Sequence, residues 1–183
     1  MKELSLHILD VAENGISAGA DFVRIEVDEA CAENRFTIII TDNGRGISDD
    51  ILSGVTNPFY TTRTTRRVGL GLSLLESAAR RCDGSMCIES APGKGTRIIA
   101  EFKYDHIDRA PLGDIVGTMT TLIMGNPDVD FKYCHQIDGK QFSVNTRDVK
   151  EESGSRFVTD AAFFQLLYKK LHNGLNQLKS GEI

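Results

Sequence analysis

Residues 35–47 read Arg35-Phe36-Thr37-Ile38-Ile39-Ile40-Thr41-Asp42-Asn43-Gly44-Arg45-Gly46-Ile47. Phe36, Ile38 and Ile40 fall on one side of a two-residue period, which predicts a half-buried strand over Arg35–Asp42. The strand runs straight into a carboxylate and two glycines one residue apart. Such glycines let a backbone approach a flat ring, and the carboxylate can accept a hydrogen bond from an exocyclic amine. A plain turn after a strand would use the same residues. The flanking sequence has to choose between the two.

Upstream, residues 2–18 carry Leu4, Leu6, Ile8, Leu9, Ala12 and Ile16 at helical spacing, with Gly19 as the stop. His7, Asp10 and Asn14 lie along one stripe of that helix. A carboxylate and a carboxamide a turn apart can hold a metal ion and polarise a water, although a solvated polar face has the same pattern. Phe22–Asp28 alternates Val23, Ile25 and Val27 with charged residues, a second strand.

Downstream, residues 43–68 are turn-rich and interrupted by Pro58, a long loop with room for one short helix. Helical apolar spacing returns from Gly69 to Cys82. Val68-Gly69-Leu70-Gly71-Leu72 opens that helix, and free N–H groups at a helix start, with glycines for close approach, suit a phosphate. Arg63, Arg66 and Arg67 precede it. Ser85–Glu89 and Gly95–Lys103 read as strands joined at Ala91-Pro92-Gly93. There Gly93-Lys94-Gly95-Thr96 fits a hairpin turn as well as a ligand contact.

After Tyr104 the polar link Asp105–Asp108 leads to a predicted helix over Leu112–Met124, entered at Pro111. Strands over Asp130–Ile137 and Gln141–Val149 meet at the hairpin dipeptide Asp138-Gly139. Glu151–Ser155 reads as a linker, and Asp160–Leu178 as an amphipathic final helix. The organisation is therefore a unit over residues 1–104 and an αββα extension over 105–183. That extension is expected to dock on the first unit by extending its sheet or joining two chains. A tethered partner-binding annex is the alternative.

The chain has 183 residues, 40% hydrophobic and 26% charged, with formal net charge −5. That composition supports a buried core and excludes a disordered or fibrous chain. The acidic balance argues against nucleic acid as a partner, and no apolar run is long enough for a membrane span. Four cysteines without CxxC spacing read as reduced thiols, and the N-terminal residues do not form a signal peptide, so a cytoplasmic location is expected.

In this order the motifs resemble the GHKL ATPase superfamily of gyrase, the heat-shock chaperone ATPase, histidine kinases and the mismatch-repair ATPase. Leu9-Asp10-Val11-Ala12-Glu13-Asn14-Gly15-Ile16-Ser17-Ala18-Gly19-Ala20 is similar to that family's asparagine-bearing helix, its ending closest to the mismatch-repair version. Asn57-Pro58-Phe59-Tyr60-Thr61-Thr62-Arg63, followed by Val68-Gly69-Leu70-Gly71-Leu72, resembles the nucleotide lid of sensor kinases. Ser90-Ala91-Pro92-Gly93-Lys94-Gly95-Thr96 resembles the turn ending their catalytic domains. The resemblance spans residues 5–103.

It implies a two-layer α/β sandwich, with helices on one face of a mixed sheet and ATP held between helices and lid. Asn14 would then ligate Mg²⁺ and Asp10 would act as catalytic base. Asp42 would accept from the adenine amine, Gly44, Gly46 and Ile47 would shape the base pocket, and Thr96 would add a contact beside it. Thr61, Thr62 and Arg63 from the lid, with Gly69, Leu70, Gly71 and Leu72, would surround the phosphates.

Three departures qualify the resemblance. Asp10 stands where hydrolysing members carry a longer glutamate, while Glu13 lies about 60° around the helix from it. Arg66-Arg67-Val68 replaces the glycine-threonine that often precedes the lid's GLG. The asparagine-bearing helix opens the chain, so the expectation is a domain without its own phosphoacceptor hairpin, and His7 reads as a polar neighbour on the helix.

Two functions stay open: an ATPase or protein kinase acting on a partner protein, and a non-catalytic ATP sensor of the anti-sigma-factor type. A DNA clamp fits less well, because the segment after Tyr104 is short for the domain that would deliver a lysine to the γ-phosphate. A homodimer is among the assemblies left open.

Overall fold

The structure, a computed structural model, describes residues 2–48 and 70–181. Its N-terminal helix α1 (Leu4–Ser17) ends as expected, with Gly19 at φ +84° and its amide donating to the Ile16 carbonyl. Strand β1 (Phe22–Ala30) leads through a 3₁₀ turn at Cys31–Glu33 to β2 (Arg35–Asp42). Helix α2 (Leu70–Arg81) and the hairpin β3 (Ser85–Ala91) and β4 (Gly95–Lys103) complete the first half.

Residues after Tyr104 add helix α3 (Ile115–Gly125), strands β5 (Asp130–Ile137) and β6 (Lys140–Asn145), and helices α4 (Thr146–Ser153) and α5 (Ala161–Ser180). The expected strand over Gln141–Val149 is corrected here. It stops at Asn145, whose side-chain oxygen accepts from the Arg147 amide at 3.0 Å and caps α4. The expected linker Glu151–Ser155 largely belongs to that helix, which Gly154 ends at φ +67°. The helix expected to enter at Pro111 begins instead after Asp114. That carboxylate accepts from the Gly117 amide, while the Pro111 carbonyl accepts from Leu4 N at 3.0 Å.

The six strands of the described residues form one mixed sheet in the order β3-β4-β2-β1-β5-β6. β5 runs parallel to β1, from Phe22 opposite Asp130 to Glu29 opposite Ile137, and the other pairings are antiparallel. Residues 130–145 thus extend the sheet past β1. Asp138 (φ +46°) and Gly139 (φ +86°) give the turn its two left-handed positions, the signature of a type I′ hairpin.

Val23, Ile25 and Val27 of β1 and Phe36, Ile38 and Ile40 of β2 are buried beneath the helices, with Leu4, Ile8 and Val11 of α1 in the same core. This is an α/β sandwich. At the β1–β5 seam, fully buried His135 lies between the Tyr133 hydroxyl at 2.7 Å and Glu29 Oε1 at 2.8 Å. Burial works to raise the Glu29 carboxyl, but hydrogen bonding and charge from His135, aided by Tyr104, leave it below the ordinary range.

Candidate functional site

The end of β2, the C-terminal half of α1, the start of α2 and the β3–β4 turn converge at one end of the sheet. Asp42 is the last residue of β2 and is only 8% exposed. Its Oδ1 accepts from the Gly44 amide at 2.8 Å. Burial pushes this carboxyl up from its ordinary value, and the Gly44 and Thr96 amides hold back part of the rise.

Glycines bring the backbones close around it. A Cβ on Gly15 would lie 2.7 Å from Asp42 Cβ, and one on Gly44 would lie 3.0 Å from Asp42 Oδ1. Gly46 has φ +70°, and a Cβ there would fall on the Ala91 carbonyl, so this loop requires glycine on both counts.

The turn 93–96 is a hairpin turn, and it also fastens the 43–47 loop. Gly93 N donates to the Arg45 carbonyl at 2.7 Å, and Ile47 N donates to Ser90 Oγ at 2.8 Å. Ser90 Oγ donates to the Gly95 carbonyl, which leaves the Thr96 hydroxyl, 2.9 Å away, to donate to Ser90. Thr96 is buried and sits opposite Asp42 in register.

Ser90 and Asn43, which are not among the expected site residues, both position the loop. Asn43 Oδ1 accepts from the amides of Asp21 and Phe22, and its Nδ2 donates to Asp21 at 2.6 Å. An Asn directly after a strand end is the available signal, since such residues bond neighbouring backbone. Ser90 offered none, because its partners lie across the hairpin and across the loop.

On α1, Asp10 and Asn14 are half-buried while Glu13 is exposed. Gly71, in the first turn of α2, faces that pair. A Cβ there would stand 3.3 Å from Asp10 Cβ and 3.7 Å from Asn14 Nδ2. The opening of α2 therefore meets the Asp10–Asn14 stripe without a side chain between them. Leu72 is partly buried against the core. Of the other residues expected at the phosphates, Thr61, Thr62, Arg63 and Gly69 lie outside the described residues, as do Arg66 and Arg67, and Leu70 is described by its backbone alone.

His7 departs from a polar stripe open to solvent. It is 3% exposed, and its Nδ1 has no hydrogen-bond partner among the described residues. Chiefly through burial, with the Arg81 guanidinium adding to it, its pKa falls to about 4.

Among the described residues no group of three or more His, Cys, Asp or Glu side chains is gathered for a metal. A cation at Asn14 and Asp10 would have two oxygen-bearing side chains. That suits Mg²⁺, which binds through one or two protein oxygens and completes its octahedron with phosphate and water. Among the same residues no helix is long and apolar enough to cross a membrane.

The sequence profile of the family described as "Histidine kinase-, DNA gyrase B-, and HSP90-like ATPase" matches residues 2–106. The chain is 32% identical over 107 residues to the sensor histidine kinase YxdK of Bacillus subtilis (strain 168), covering 55% of this chain and 33% of that protein. It is 30% identical over 118 residues to the non-motile and phage-resistance protein of Caulobacter vibrioides, covering 60% of this chain and 14% of that one. The chain therefore spans well under two thirds of the length of these relatives. Among solved structures, the Aquifex aeolicus MutL ATPase domain complexed with ADP matches in fold with TM-score 0.51 at 14% identity. That likeness covers 85% of this chain and 70% of the other, and so reaches beyond residue 106.

Proposed function

The chain belongs to the histidine kinase-, DNA gyrase B- and HSP90-like ATPase family, and on that premise we propose that it binds Mg-ATP between α1, the start of α2 and the 42–47 loop, and acts on or signals to a partner protein. The observation that carries the reading is the convergence on one end of the sheet. A buried carboxylate walled by glycines lies at the end of β2, and a helix start opens onto the Asp10–Asn14 pair.

Asp42 accepts from the adenine amine, with Gly44, Gly46, Ile47 and Thr96 around the base. Gly71 and the first turn of α2 approach the phosphates, since the start of a helix favours an anion. Asn14 holds the Mg²⁺, which when bound neutralises charge on the triphosphate. Asp10 accepts the proton of the attacking nucleophile, a water or a partner's side chain. Thr61, Thr62, Arg63, Gly69 and Leu70 complete the phosphate end of this reading.

The relative named a sensor histidine kinase supports phosphoryl transfer to a protein as the reaction class. A second reading, an ATP sensor that does not turn over, is favoured by one feature: Asp10 is a methylene shorter than the glutamate of hydrolysing members. Single-turnover kinetics with Mg-ATP separates them. Phosphate release or transfer that Asp10→Asn abolishes, with nucleotide affinity kept, establishes the enzyme. Tight binding without either establishes the sensor. Absence of saturable ATP binding refutes both.

A further inference from the structure

Helix α5 departs in composition from the rest of the chain. Over Ala161–Ser180 it carries Lys169, Lys170 and Lys179 and no aspartate or glutamate, in a chain of net charge −5. Its apolar face is already used, with Phe163, Leu167, Leu171, Leu175 and Leu178 buried. That face lies toward β6, α4 and α3. On the outer side Phe164, Tyr168 and His172 follow one another at four-residue steps, along one stripe. Phe164 is 39% and Tyr168 47% exposed, and Phe157, in the turn leading into the helix, is 67% exposed. A solvated helix face does not ordinarily carry a run of outward aromatics, whereas protein interfaces are enriched in them.

The rings lie near-parallel in a row. Phe164 and Tyr168 have centroids 6.3 Å apart at 21°, and Tyr168 and His172 are 5.8 Å apart at 7°. Lys170 is paired with Glu152 at 2.7 Å, but Lys169 and Lys179 form no ion pair among the described residues. Lys169 lies three residues before His172 and Lys179 seven after it, so both border the stripe. Two ammonium groups without an ion pair thus border exposed aromatic surface, on a helix that carries no carboxylate of its own.

We propose that this face of α5 docks an acidic segment of a partner protein. Carboxylates of the segment meet Lys169 and Lys179, and its apolar side chains pack on Phe164, Tyr168 and Phe157. A single-stranded nucleic acid needs a continuous cationic groove for its backbone, and here two separated ammonium groups stand on a chain of net charge −5. A lipid surface needs the helix's broad apolar face, which is buried in the core. The inference goes beyond nucleotide binding and does not depend on it.

The test titrates the full chain with four probes: a fluorescein-labelled peptide of Glu, Leu and Phe, its Gln-for-Glu counterpart, oligothymidylate, and phosphatidylserine-containing vesicles. The acidic peptide should bind saturably and weaken with added salt. Phe164→Ala and Tyr168→Ala should each weaken it roughly tenfold, and Lys169→Glu with Lys179→Glu should remove it. Thermal unfolding and Mg-ATP affinity of these variants should match the parent, which separates failure of this surface from failure of the nucleotide reading. Equal binding of the neutral peptide, insensitivity to the substitutions, preference for oligothymidylate or vesicles, or self-association lost in Tyr168→Ala would each overturn the proposal.

Discussion

Gly15→Ala is a change inside a helix that would ordinarily stabilise it, by about 1 kcal/mol of helix propensity. Here the added methyl would stand 2.7 Å from Asp42 Cβ and 2.8 Å from its Cγ and Oδ2, closer than side-chain carbons approach. Either the Asp42 carboxylate rotates away from the Gly44 amide or α1 lifts from the end of β2. Overpacking of this kind costs about 1–3 kcal/mol, so the net loss of stability should be about 0–2 kcal/mol. The effect on ligand binding should be larger, because the atom group displaced is the carboxylate proposed to accept from the adenine amine. Losing a hydrogen bond to a charged group costs about 1.5–3 kcal/mol, which corresponds to roughly 10- to 150-fold weaker Mg-ATP binding. Calorimetric titration beside urea unfolding reads both quantities. Gly125→Ala, in α3, serves as the control: nothing lies within 4 Å of a Cβ there, so affinity should stay at the parent's and stability should hold or rise by up to about 1 kcal/mol. Affinity within twofold of the parent for Gly15→Ala would refute the coupling of α1 to Asp42.

Asp42→Asn should lower ATP affinity specifically by presenting an amide donor to the adenine amine; unchanged affinities for both ATP and GTP would remove Asp42 from the base site. The chain should lose stability on acidification through His7. Its folded pKa of about 4 lies below the unfolded 6.5, so the stabilisation present above pH 6.5 is lost as pH falls toward 4. The full loss is about 3 kcal/mol. Urea unfolding at both ends of that window, compared with His7→Leu, checks it, and an equal pH slope in the variant would contradict it. A fragment ending at Tyr104 should aggregate, because it exposes the β1 edge that β5 covers and removes the Pro111 carbonyl that receives Leu4 N. A soluble, cooperatively unfolding fragment with the parent's ATP affinity would show that the extension is not needed for the core.

Local periodicity made most of the sheet legible. β2, β4 and β5 have the bounds read from the sequence, because each alternates or ends against Gly, Asp or a turn dipeptide. Helix α4 was not legible by that route, since only Thr146 and Val149 are buried in it and two positions make no period. Its evidence was in the caps instead, Asn145 before it and Gly154 after it. Contacts between distant residues left no local trace. His135 meets Glu29 across 106 positions, and Arg147 and Lys150 meet Asp130 where α4 folds back on β5. The site divides the same way. Asp42, Gly44, Gly46 and Thr96 stood in readable motifs, whereas the supporting role of Ser90 depends on partners in two other segments. The stretch 57–63 that resembles a nucleotide lid lies outside the described residues.

The central claim, Mg-ATP bound at the convergence of β2, α1 and α2, is tested most directly by following backbone amide resonances during titration of the full chain with Mg-ATP. The account predicts saturable shifts at Gly15, Gly44, Gly71 and Thr96, little change at Ser143 in β6, and weaker binding when Mg²⁺ is chelated or GTP replaces ATP. Saturable shifts that cluster elsewhere, or none at those four amides at saturating Mg-ATP, would contradict it.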